Sequence, residues 1–108
     1  MVTREELNEA LAERHGREIQ GILARSGAAV AGLGGLGSNI AFSLARTGIG
    51  YLHLIDFDRV DITNLNRQQY FIHQIGMKKT EALKENLLQI NPYLEIRTDF
   101  VKVEEGNI

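Results

Sequence analysis

Gly32-Leu33-Gly34-Gly35-Leu36-Gly37 constrains this chain more than any other stretch. It follows the short apolar run Ala28-Ala29-Val30-Ala31 and leads into Ser38–Thr47, where Ile40, Ala41, Leu44 and Ala45 recur at helical spacing. A strand, a glycine loop and a helix in that order open a parallel βαβ unit. Each glycine has a physical task there: Gly32 permits the tight turn, Gly34 lets the backbone approach a phosphate, and Gly37 lets the helix pack closely on the strand. Free amides at the start of the helix, at the positive end of its dipole, attract an anion. Asp56 closes the next apolar run, Tyr51-Leu52-His53-Leu54-Ile55, nineteen residues after Gly37. A carboxylate at that point accepts hydrogen bonds from two ribose hydroxyls. These residues point to a nucleotide with a free ribose and leave ATP and NAD both open.

The remaining elements are placed by period and punctuation. Thr3-x-x-Glu6 is a capping box, followed by Leu7, Leu11, His15, Ile19, Ile22 and Leu23 on one helical stripe; Gly16 divides residues 4–25 into two helical pieces or weakens one, and Ser26-Gly27 ends them. The run 28–31 reads as a parallel strand buried on both faces. Gly48 takes the left-handed cap. From Asp58 to Ile75 the chain is polar and without period, the mark of a functional loop, anchored by Tyr70 and Phe71. Helical spacing resumes at Met77 and continues through Leu83, Leu87 and Ile90 until Asn91-Pro92 stops it, and residues 94–101 alternate as a third strand. Right-handed crossovers make all three strands parallel. The fold class is therefore α/β: the N-terminal βαβαβ half of a Rossmann-like doubly wound parallel sheet, with a preceding helix.

Composition narrows the function. The 108 residues, 44% hydrophobic, suit one nucleotide-binding domain. With no Cys there is no thioester, thiolate-zinc or disulfide chemistry within them. A formal net charge of −2 gives no footprint for nucleic acid, and no apolar run suits a membrane span or secretory signal, so a cytoplasmic setting is expected. None of the three histidines is read as a metal ligand: His15 packs on its helical stripe, His53 faces a neighbouring helix, and His73 has no second ligand at metal spacing.

Beyond Asp56 the chain reads Asp56-Phe57-Asp58, then Thr63-Asn64-Leu65-Asn66-Arg67-Gln68, then Gly76-Met77-Lys78-Lys79-Thr80-Glu81-Ala82. Asn64, Arg67 and Lys79 fall at the carboxyl ends of the strands, where phosphates gather, and supply a planar fork and a movable point charge. Together with the glycine loop, these strings resemble the ThiF/MoeB/HesA family, bacterial relatives of the ubiquitin-activating enzymes, over about residues 20–101. The wording of 64–71 is similar to the shorter ThiF-like proteins of thiamine biosynthesis. The resemblance implies an adenylyltransferase that binds ATP with Mg2+ and joins AMP to the C-terminal carboxylate of a ubiquitin-like sulfur-carrier protein ending in Gly-Gly, releasing pyrophosphate. It implies a homodimer. Carried over by position, Gly32, Gly34, Gly35, Gly37, Asp56, Asp58 and Asn64 contact the nucleotide, and Arg67 and Lys79 act on the phosphates. Lys79 is matched rather than Lys78 because it stands three residues after Gly76.

Three departures from that family pattern matter. Glu13-Arg14-His15-Gly16-Arg17-Glu18 stands where the family carries an Arg-Tyr-x-Arg-Gln-like stretch whose arginine reaches the partner's ATP, leaving Arg14 and Arg17 as candidates. The Asp-Asn motif linked to the metal is absent, so the metal ligand is unassigned. The Cys-x-x-Cys pairs and reactive cysteine are absent too. With the segment ending Glu104-Glu105-Gly106-Asn107-Ile108 and no fourth strand, the expectation is the N-terminal part of a longer domain. Two rivals stand beside adenylation: an NAD-binding oxidoreductase half-domain, and a non-catalytic nucleotide-binding or dimerisation module.

Overall fold

In the computed structural model, which describes residues 1–104, the elements run α1 (Arg4–His15), α2 (Arg17–Ala24), β1 (Gly27–Ala31), α3 (Gly35–Thr47), β2 (Tyr51–Asp56), α4 (Lys79–Ile90) and β3 (Glu95–Phe100). The strands pair in parallel in the order β1-β2-β3, with Ala28 beside Leu52 and Leu52 beside Ile96. Thr3 and Glu6 form the expected capping box, and Gly48 (φ 102°) ends α3 in the left-handed region. Glu105 to Ile108 and the side chain of His15 lie outside the described residues. Among the described residues no helix is long and apolar enough to cross a membrane.

Helices α3 and α4 pack on each other and on one face of the sheet. Val30, Leu33, Ala41, Ala45, Leu52, Leu54, Leu83 and Leu87 form the core between them. The opposite face is not covered among the described residues. Ala29 and Ala31 are exposed there, and β1 is an edge strand, so the expected burial of residues 28–31 on both faces is corrected to one. His53 is corrected likewise. It lies on the open face and hydrogen-bonds Asp99 on β3 at 2.6 Å instead of facing a helix. The stripe assigned to the N-terminal helices is also revised. Ile19 and Ile22 are each more than half exposed, while Ala12 and Gln20 are buried, Gln20 lying against Gly48 where α3 ends.

The loop after β2 is ordered by hydrogen bonds rather than by apolar period. Its base is closed by Val60 N–H to the Met77 carbonyl at 2.8 Å, Gly76 N–H to the Val60 carbonyl at 2.8 Å, and an antiparallel bridge between Arg59 and Lys78. These pairings keep Lys78 out of the helical region (φ −58°, ψ 132°), so α4 begins at Lys79 and not at Met77. Two 3₁₀ turns, Ile62–Asn64 and Ile72–Gln74, fill the interior. The second is locked to α4 by two buried amides. Gln74 Nε2 donates to Asn86 Oδ1 at 2.6 Å and to the Ala82 carbonyl at 3.1 Å. Asn86 Nδ2 donates to Gln74 Oε1 at 2.9 Å and to the Gln69 carbonyl at 2.8 Å. His73 pairs with Glu85 at 3.0 Å.

Two outcomes follow from these contacts. Gln74→Ala or Asn86→Ala orphans at least two buried groups and is expected to lower stability by about 2–4 kcal/mol; the double variant should cost well under the sum of the singles in denaturant titrations. The Asp99 carboxyl is held below the ordinary carboxylate range, first by its hydrogen bond with His53 and then by Arg97. Its contribution is therefore present above about pH 4 and is lost as pH falls through the lowered folded value. Asp99→Asn should flatten the melting temperature against pH on the acid side.

Candidate functional site

The site is built where the glycine loop meets the turn after β2. Gly32 takes φ 87°, and a Cβ on Gly37 would stand 1.8 Å from the Gly32 carbonyl oxygen, so both are glycine because the fold requires it. Gly34 and Gly35 are different. A Cβ on either would make only ordinary contacts, at 3.9 Å to Gln68 Nε2 and 3.7 Å to Arg67 Cγ. Helix α3 begins at Gly35 with no side-chain cap, three residues earlier than its apolar period indicates. Its first amides open over the same two glycines, a cradle in which an anion approaches closely.

Asp56 ties this loop to the end of β2. Oδ2 accepts the Leu33 N–H at 2.7 Å and Oδ1 accepts the Asp58 N–H at 2.6 Å. Each oxygen keeps a lone pair for another donor, so the expected ribose contact is compatible with this structural duty in the two turns. Tyr70 completes the arrangement by donating its hydroxyl to the Leu33 carbonyl at 2.7 Å. Burial, and then the Asp56 charge, push its phenol pKa up, which keeps it a neutral donor. Asp58 contributes its carbonyl, which accepts the Lys79 N–H at 3.0 Å and fixes the start of α4.

The cations and amides come from the loop. The Arg67 side chain runs along Gly35, and Nη1 donates to the Thr63 carbonyl at 3.1 Å and to Asn66 Oδ1 at 3.2 Å. Asn39 on α3 donates to the Gly35 and Arg67 carbonyls at 2.6 and 3.2 Å, and Gln69 N–H donates to Ser38 Oγ at 3.2 Å, so the segment is stitched to the helix start. Asn64 spends Oδ1 on the Asp61 N–H at 2.8 Å and keeps Nδ2 free among the described residues. Lys79 is only 6% exposed, its stem buried and its ammonium at the surface, with no hydrogen-bond or ion-pair partner among the described residues. The nearby Asp61 carboxyl is lowered mainly by Thr63, with Lys79 a minor cause. A buried stem thus carries an ammonium to the surface of the site, where an anion can meet it.

The described residues hold no group of three His, Cys, Asp or Glu that fits a metal, so no residue here is assigned to Mg2+. Arg14 and Arg17 are not brought to the site by any contact among the described residues; Arg17 pairs with Glu9 on α1, its Nη1 donating to Glu9 Oε2 at 3.0 Å.

A parallel βαβαβ unit with this glycine turn and an acid ending its second strand is a Rossmann-like domain of the nucleotide-fold class. More narrowly, the chain belongs to the ThiF family, whose model matches residues 7–108. It is 41% identical to the tRNA threonylcarbamoyladenosine dehydratase of Escherichia coli over 93 residues, 83% of this chain and 35% of that protein. It is 47% identical to ubiquitin-like modifier-activating enzyme 5 of Caenorhabditis elegans over 68 residues, 63% of this chain and 16% of that protein. The crystal structure of the E. coli dehydratase TcdA in complex with ATP superposes with a TM-score of 0.90 at 34% identity, over 99% of this chain and 45% of that one. The chain thus spans about a third or less of the curated relatives.

The two kinds of glycine are separable by substitution. Gly37→Ala is expected to destabilise by about 3 kcal/mol or more through its clash with backbone. Gly35→Ala should fold with unchanged or slightly higher melting temperature, since alanine favours a helix.

Proposed function

We propose that this chain supplies the ATP-binding part of a site that adenylates a carboxylate. The observation that carries the reading is Lys79, whose stem is buried at the start of α4 and whose ammonium has no hydrogen-bond or ion-pair partner among the described residues, beside a loop that brings Arg67 against Gly35. An anion between the start of α3, Lys79 and Arg67 would be met by free amides, a point charge and a planar fork. Gly34 and Gly35 would lie under the phosphates, Asp56 would accept from the ribose, and Asn64 and Asp58 would line the pocket. The ATP-bound structure of the relative TcdA supports this choice of nucleotide.

The chemistry suits these residue types. A carboxylate oxygen attacks the α-phosphorus, the bond from α-phosphorus to the bridging oxygen breaks, and pyrophosphate leaves with the electron pair. No proton has to be removed, so no general base is required. The barrier is the meeting of two anions, which Lys79 and Arg67 offset by charge already held in place. This favours adenylation over the NAD reading, because a dinucleotide has no use for the long polar loop that carries Arg67. A module without catalysis remains the outcome if nucleotide binds and no exchange occurs.

The substrate proposed is the C-terminal carboxylate of a ubiquitin-like sulfur carrier ending in Gly-Gly, in thiamine biosynthesis, acted on by a cytoplasmic homodimer. A second reading, a carboxylate carried on tRNA, is supported by the match to the tRNA-modifying relative, which runs over more of this chain than the match to the modifier-activating enzyme. Pyrophosphate exchange stimulated by a Gly-Gly-ending carrier supports the first; exchange stimulated only by threonylcarbamoyl-modified tRNA supports the second. Arg67→Ala and Lys79→Met should each slow exchange by about 100-fold or more with the fold retained. Lys79→Met should leave the melting temperature of the free protein close to the parent's, since the buried stem is kept and only the surface ammonium is lost. Near-normal exchange in either variant removes that residue from the mechanism.

A further inference from the structure

A second pair of cations stands outside the pocket, on the neck of the excursion. Arg59 and Lys78 face each other across the isolated antiparallel bridge, and both lie over one ring. The Lys78 ammonium is 4.9 Å and the Arg59 guanidinium 5.7 Å from the centre of Phe100, the residue that ends β3. Arg59 Nη1 also donates to the Gly76 carbonyl at 3.0 Å, so its fork is anchored at one corner. Both residues are exposed, and neither has an acidic partner among the described residues. Like charges directly opposite on a ribbon repel each other, and a neutral ring offsets that only in part. Exposed aliphatic surface adjoins the pair. Ile75, 42% exposed, precedes Gly76, and its N–H donates at 3.2 Å to the carbonyl of Ile72, which is 78% exposed.

Lys78 differs from Lys79 in direction and duty. Lys79 is drawn into the fold by its stem, while Lys78, one residue earlier, lies outside on Phe100. A fork and a point charge held over one ring fit a single carboxylate. They do not extend into a track for a phosphate backbone, because Asp58 and Asp61 flank Arg59 in the chain and the net charge is −2. An isolated cation pair beside exposed aliphatic side chains has the make-up of a protein docking surface. We infer that this neck docks the body of the carrier protein: Arg59 and Lys78 meet an Asp or Glu side chain on its surface, and Ile72 and Ile75 take an apolar contact beside it. The inference rests on the carrier reading above and adds to it a surface separate from the residues proposed to meet the nucleotide. Since Lys78 and Lys79 are consecutive, a carrier held there has its C-terminal tail beside the pocket.

Calorimetric titration with a Gly-Gly-ending carrier compares the parent with the Arg59→Gln/Lys78→Gln double variant and with Ile72→Ser, beside titrations with ATP and melting temperatures without ligand. The double variant is expected to bind the carrier about 10–100-fold more weakly, to bind ATP as the parent does, and to melt at or above the parent temperature because the opposed charges are gone. Ile72→Ser should weaken carrier binding about threefold or more with the melting temperature retained. Added salt should weaken carrier binding by the parent far more than by the double variant. Replacing the carrier's surface Asp and Glu one at a time by Lys should find a position that weakens binding to the parent and not to the double variant. Carrier affinity within twofold of the parent in either variant overturns the surface as drawn. So does an equal loss of ATP affinity, or a lowered melting temperature in the double variant, either of which would mark the pair as structural. Affinity for tRNA that falls in the double variant while carrier affinity holds overturns it in favour of an RNA phosphate. A parent that binds ATP but no carrier overturns this inference and the carrier reading together and leaves the nucleotide reading standing. Carrier binding that depends on the pair without any pyrophosphate exchange overturns adenylation and supports the docking surface.

Discussion

The Asp56 carboxylate joins two turns that would otherwise be independent. One oxygen holds the Leu33 amide of the glycine loop and the other holds the Asp58 amide at the start of the long excursion. A single side chain at the end of β2 thus fixes the level at which both segments leave the sheet. Tyr70 reinforces the join from within the excursion by reaching back to the Leu33 carbonyl. Because hydrogen bonds to a charged group are stronger than neutral ones, the geometry of glycine loop, loop cations and α4 depends on this acid before any ligand is considered.

The alternation of small and large glycine tasks in the loop is a physical record of two demands. Gly32 and Gly37 answer to the backbone, one through its positive φ and the other through the carbonyl it nearly touches. Gly34 and Gly35 answer to nothing within the described residues. The same division runs through the polar side chains. Asn39, Gln74 and Asn86 are engaged with their own chain, whereas the Lys79 ammonium and Gln68 Oε1 have no partner among the described residues. Residues that satisfy the fold and residues that await something else sit side by side.

Much of this was legible from sequence, for reasons that differ by element. Strand β2 and helix α3 announce themselves through period, and Gly48 through its place after the last apolar turn. The acid at 56 and the cations at 67 and 79 follow from motif spacing. What escaped was whatever depends on partners distant along the chain. The Gln74–Asn86 pair crosses twelve residues and has no periodic signature. The structural duty of Asp56 is invisible until Leu33 is seen beside it. Burial also misled. The run 28–31 is apolar enough for a covered strand, but small alanines tolerate an open face, and only the neighbouring elements decide which face is covered. Gln68 lay inside a motif string, and an unpaired buried atom cannot be read from letters.

The amide lock between the second 3₁₀ turn and α4 reaches beyond stability. Arg67 lies on the excursion and Lys79 begins α4, so the lock makes the two cations parts of one body. The conformational entropy of bringing them to a common spacing is spent during folding and not at each ligand encounter. Under the nucleotide reading proposed above, capture would resemble a key entering a finished lock, with rate set by diffusion and long-range attraction more than by local rearrangement.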